Sequence, residues 1–73
     1  MTIQQALPNK DYIIENITID DESLKAFLFS LGCYEGENIT IIHQRKTGCI
    51  VAIKDARYNI DKNLAANIYV KEI

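Results

Sequence analysis

Two cysteines and a single histidine, Cys33, His43 and Cys49, are the side chains of this chain best suited to a transition metal. Thiolate and imidazole are the ligands that zinc, copper and iron prefer. His43 lies near the end of one β-rich run and Cys49 near the start of the next, so a hairpin joining the runs brings the two towards each other. Their spacing matches no closed site, because a structural zinc takes four ligands. The ordinary reading of each cysteine is a small apolar core residue. Metal ligation by the three stays a weak candidate. The ten Asp and Glu residues form no recognisable acid–base pair, and Ser23 and Ser30 fall in one helical segment without a base at suggestive spacing. No phosphate-cradling glycine loop is present. These residues point away from an enzyme and call for no cofactor.

Recognition is the other chemistry a small domain performs, and Phe29 is the most informative residue for it. The segment around it, "DDESLKAFLFSLG", reads as a helix. Asp20, Asp21 and Glu22 supply a cap and negative charge for its N-terminus. Leu24, Phe27, Leu28 and Leu31 recur at i, i+3, i+4 and i+7 as its apolar face. Gly32 ends it as a left-handed residue. At about 100° per residue Phe29 sits roughly 140° from the centre of that face. It therefore points outward, unless a neighbouring loop or the N-terminal "TIQQAL" folds over it. Large rings are favoured anchors of interfaces. Tyr34, between Gly32 and Gly36, either extends a patch with Phe29 or packs on the rim with its hydroxyl in water.

The remaining elements are read from a period of two. "DYIIENITI", after the turn signal "LPNK", is a first strand carrying Tyr12, Ile14 and Ile17. Ile39 and Ile41 begin a second, and "CIVAIKD" a third after Gly48. The polar segment "HQRKTG" between them reads as a hairpin loop of five residues closed by Gly48. "ARYNI" is a short strand, "DKNLA" a single turn, and "NIYVKEI" a last strand. About five short strands and one short α-helix, between the first and second strands, predict a mainly β, strongly bent barrel, since closure removes exposed edges. Gly32 and Gly36 form a corner that lays the helix across the barrel mouth.

At this point a family comes into view. "LFSLGCYEGENITII" resembles the L-x-x-L-G-x-x-x-G-x-x-I-x-V/I block of the FeoA family, a small component of bacterial ferrous-iron uptake. "ARYNID" is similar to its arginine-containing short strand and "LAANIYV" to its closing A-x-x-I-x-V segment. The resemblance covers about Leu24 to Val70. Two local departures stand out: Glu35 where the family often has a proline, and Asn9-Lys10-Asp11 where it often has a glycine. The resemblance implies a single SH3-like domain over residues 1–73 and a non-enzymatic role. It also implies a partner, the ferrous-iron permease, met through its cytosolic GTP-binding portion. The same module resembles the C-terminal domain of DtxR-type repressors. The alternative role is therefore a free-standing adaptor or metal-sensor-type module. With a GTP-binding partner, Arg45 or Arg57 becomes a candidate contact, because an arginine offered in trans can stabilise a transferring phosphoryl group. Either arginine can equally steer docking onto an acidic surface.

Composition sets the outer bounds. Seventy-three residues, 48% hydrophobic and 25% charged, suit one small globular domain. A net charge of −2 and no dense basic cluster argue against nucleic acid as the main partner. The start lacks a basic segment followed by an apolar run, and the longest mostly apolar stretch, Ala26 to Tyr34, is short of the ~17 residues a spanning helix needs. A cytoplasmic protein is expected, reaching the inner membrane only through the permease. Its cysteines would be free thiols there. Exposed Phe29 and unpaired strand edges also allow a homo-oligomer.

Overall fold

The computed structural model describes residues 1–73. Its elements are β1 (Lys10–Ile17), α1 (Glu22–Leu31), β2 (Asn38–Arg45), β3 (Gly48–Ile53), β4 (Ala56–Asp61), α2 (Lys62–Ala65) and β5 (Ile68–Glu72). All strand pairs are antiparallel, in the order β4-β3-β2-β1-β5. The expected architecture of five strands with a helix after the first is the one observed.

Alternation fills the interior. Tyr12 and Ile14 of β1, Ile39 and Ile41 of β2, Cys49, Val51 and Ile53 of β3, Ile60 of β4, and Ile68 and Val70 of β5 are buried together. Their opposite neighbours face water, as period-two side chains must. Two register shifts bend the sheet, between Ile14 and Asn16 against β5 and between Ile41 and His43 against β3. A bulge adds a residue to one strand and so swaps the faces that follow. Beyond the β2 bulge, His43 points out and Gln44 points in.

The pairing beyond the bulge corrects the expected hairpin loop. Arg45 pairs with Gly48, so β2 runs through "HQR" and only Lys46 and Thr47 form the loop, not five residues. Gly48 is required by close approach. A Cβ there would lie 2.1 Å from the Ile60 carbonyl oxygen on β4.

Helix α1 starts and stops as its sequence predicts. The Asp21 carboxylate accepts from the Leu24 N–H at 3.1 Å. At the other end Gly32 adopts φ +91°. Its N–H donates to Phe29, and the Cys33 N–H donates back to Leu28 at 2.9 Å. This pair of bonds is the Schellman arrangement, in which a left-handed residue satisfies the last free carbonyls. The predicted apolar face is narrower than its spacing implied. Leu28 is buried and Leu24 and Leu31 are half-buried, but Phe27 is 55% exposed. Phe27 lies on the flank of the Leu24–Leu28–Leu31 line. A ten-residue helix seated by one fully buried leucine does not reach around to cover it.

The N-terminal segment contributes structure that no periodicity announced. The Ile3 N–H donates to Ile68, the Val70 N–H donates to Met1, and Thr2 bridges to Tyr69, so residues 1–3 run along the outer edge of β5. Ile3 and Ala6 are buried in the core. The segment docks here and leaves Phe29 65% exposed.

Candidate functional site

The turn at Gly32 and the bend that follows it determine where the two aromatic candidates meet. Leu28 and Cys33, bonded across the Schellman turn, both point inward. The next residue, Tyr34, is thereby turned back along the helix. The corner is then pinned to β1: the Gly36 N–H donates to the Ile14 carbonyl at 2.8 Å, and the Ile14 N–H to the Glu37 carbonyl at 3.0 Å. Gly36 takes φ +88° to allow it.

As a result the Phe29 and Tyr34 rings stand 4.9 Å apart, centroid to centroid, tilted by 34°. This is an attractive aromatic geometry. The Lys54 ammonium lies 5.9 Å from the Tyr34 ring centroid, within cation–π range, and 3.3 Å from the Glu37 carboxylate. Lys54 holds the Glu37 carboxyl below its ordinary range, and Glu37 raises the Lys54 ammonium above its own. Beside the rings opens a groove of about 340 Å³, lined by Ile17, Lys25, Phe29, Cys33, Tyr34 and Glu35. A groove lined mostly by apolar side chains, with one basic and one acidic residue, can take an apolar side chain and orient it through its polar neighbours.

The other sequence candidates lie elsewhere. Arg45 is exposed where β2 enters its hairpin, with its carbonyl accepting from the Gln4 amide at 3.1 Å. Arg57 is exposed on β4 opposite Ala52. Neither lines the groove. His43 faces out, paired with Ile50, while Cys49 is buried on the inner face. The hairpin therefore does not bring these two side chains together, and no group of three or more His, Cys, Asp or Glu residues is placed to hold an ion. Burial raises both the Cys33 and the Cys49 thiol to about 11.

Lys25, Glu35 and Ile17 were not named as site residues from the sequence. Lys25 was within reach of helical spacing, one turn before Phe29. Ile17 comes to the groove through the path of β1, which no local pattern encodes.

Comparison with known proteins places this geometry in context. The profile of the FeoA domain matches residues 1–72. A Helicobacter pylori (strain J99) protein, provisionally named Fe(2+) transport protein A, is 33% identical over 60 residues, spanning 82% of this chain and 77% of that protein. The crystal structure of an iron uptake regulatory protein (FeoA) superposes with a TM-score of 0.88 at 23% identity, covering 100% of this chain and 97% of the other. Zinc-complexed FeoA of Stenotrophomonas maltophilia, described as a prokaryotic SH3 domain protein, gives 0.82 at 16% identity, over 97% and 89% of the two chains. The bent barrel is thus the SH3-like FeoA fold.

Proposed function

The chain belongs to the FeoA family of ferrous-iron transport proteins, and from that premise we propose that it docks on the Fe(II) permease and modulates it. The family is one of non-enzymatic accessory proteins. The partner portion in this reading is the cytosolic GTP-binding domain, and the working location is the cytoplasmic face of the membrane. No helix of this chain is long and apolar enough to cross a bilayer.

One observation carries the reading: an exposed Phe29 packs on a half-buried Tyr34 at a hydrogen-bonded corner, and both rings line one mostly apolar groove. A domain this small gains nothing for its own core from a phenylalanine left 65% exposed. A partner that covers both rings gains the apolar area they still expose with little ordering cost, because the corner is already fixed. Arg45 and Arg57 lie off this surface. Any part they play in the nucleotide cycle would be a separate contact.

The test is a titration of the protein against the intact permease of its own organism in detergent, reading binding and GTP hydrolysis together. Binding that is lost with Phe29→Ala supports docking through the corner. Absence of binding by the unaltered protein overturns the proposal. A change in hydrolysis on binding distinguishes a modulator from an assembly factor.

A further inference from the structure

The sheet has two ends, and only one of them is covered. Residues 1–3 lie along β5 and take up backbone groups on its outer edge. Strand β4, at the other end, pairs with β3 alone. Its hairpin with β3 turns on two residues, Lys54 and Asp55, between the paired Ile53 and Ala56. The residues flanking such a loop exchange hydrogen bonds with each other, and the exchange then alternates along the ladder. Ala56, Tyr58 and Ile60 therefore bond to β3. Arg57 and Asn59 direct their N–H and C=O groups away from the sheet. None of the backbone hydrogen bonds outside the helices and strands reaches either residue, and both are exposed. An open edge of this kind is a template for another strand.

We propose that the strand it takes is β4 of a second copy of this chain, running antiparallel about a twofold axis at Asn59. The argument is charge complementarity. In that register Asn59 faces Asn59, and Arg57 faces Asp61 of the second copy on both sides of the axis. Tyr58 faces Ile60 on the inner side. Opposite charges directly across an antiparallel pair attract. A parallel in-register pairing instead sets Arg57 against Arg57. Asp61 keeps a free oxygen for the contact, since only Oδ1 is engaged, accepting from the Leu64 N–H at 2.8 Å. Helix α2 begins at Lys62 and limits the shared ladder to Arg57–Asp61. The dimer is accordingly a weak one that depends on concentration and on salt. Its surface is distinct from the aromatic groove, so it stands apart from the docking proposal.

The experiment is sedimentation velocity and amide NMR on the full chain across the micromolar to millimolar range, at low and high salt. A concentration-dependent dimer whose formation shifts the Arg57 and Asn59 amides is the expected result. Arg57→Asp, which sets acid against acid, should weaken it roughly tenfold or more. Asn59→Pro removes the central outward N–H without touching the β3 ladder, and should abolish it. Far-UV circular dichroism confirms that both variants stay folded. A monomer throughout the range overturns the proposal, as does a dimer indifferent to both substitutions. Shifts of the Arg57 and Asn59 amides that appear only when permease is added also overturn it, and assign the edge to a partner's strand.

Discussion

The Gln44 side-chain amide donates to the Ile3 carbonyl across 2.6 Å, and the same nitrogen reaches the Ala6 carbonyl at 2.7 Å. One inward-turned glutamine thus fastens the N-terminal segment to the barrel, 41 residues away in sequence from its first partner. The β2 bulge makes this possible by turning Gln44, and not His43, to the inside.

Replacing that glutamine tests the fastening. Gln44→Leu removes the donor, leaving the Ala6 carbonyl without this partner and the Ile3 carbonyl with only the long bond from the Ala6 N–H at 3.4 Å, at a cost of about 1–3 kcal/mol. Denaturant unfolding measures the loss. Hydrogen exchange at Ile3 and Val70 should accelerate in the variant, because the edge of β5 depends on the segment staying in place.

Gly32→Val should destabilise by about 1–3 kcal/mol, because φ is +91° there and a β-branched residue is strained in that region. The space is tight as well, with a Cβ placed 2.9 Å from Lys54 Cε, but that is the movable end of a side chain. Gly48→Ala should be worse. Its Cβ meets the backbone oxygen of Ile60, which cannot move without breaking the β3–β4 ladder. Thermal melts of both variants would check the ranking, and equal or unchanged stabilities would contradict it.

Phe29→Ala should cost no more than about 1 kcal/mol of stability, since the ring is largely in water and its aromatic contact is the one with Tyr34. Leu28→Ala, one position earlier, removes the buried anchor of α1 and should cost about 2–5 kcal/mol. Measured side by side, the two variants separate the binding face of the helix from its seating.

The cysteines give a pH dependence. Burial raises each thiol from 9.0 to about 11 in the folded state, so the unfolded chain loses its thiol protons first as pH rises. The folded state then holds more protons than the unfolded one between about pH 9 and 11. Stability must therefore fall as pH rises through that window. The expected signature is a decline in unfolding free energy above pH 9 that is reduced in a Cys33→Ala, Cys49→Ala variant. Alkylation of the native protein near neutral pH should be slow until it is unfolded.

Much of the fold was legible locally. Asp21, the leucines and Gly32 marked both ends of α1 because capping and left-handed termination need particular side chains at particular positions. Alternating isoleucines and valines marked the strands, and the outward direction of Phe29 followed from helical geometry alone. Two local readings failed. The β2–β3 loop was read from a polar run, but the pairing of Arg45 with Gly48 carries the ladder through "HQR". The approach of His43 to Cys49 was read from their places near the strand ends, and the register shift between Ile41 and His43 leaves His43 outside while Cys49 is buried.

The sequence by itself determined the element types, the caps, the glycine corner and the family blocks, since each depends on neighbours a few residues apart. Only the tertiary structure decided which faces those elements share. It brought Tyr34 onto Phe29, drew Ile17 and Lys25 into one groove with them, buried Ile3 beneath Gln44, and left Phe27 and the outer edge of β4 in water. Such relationships depend on register and on burial against distant strands, and short-range spacing carries no information about either.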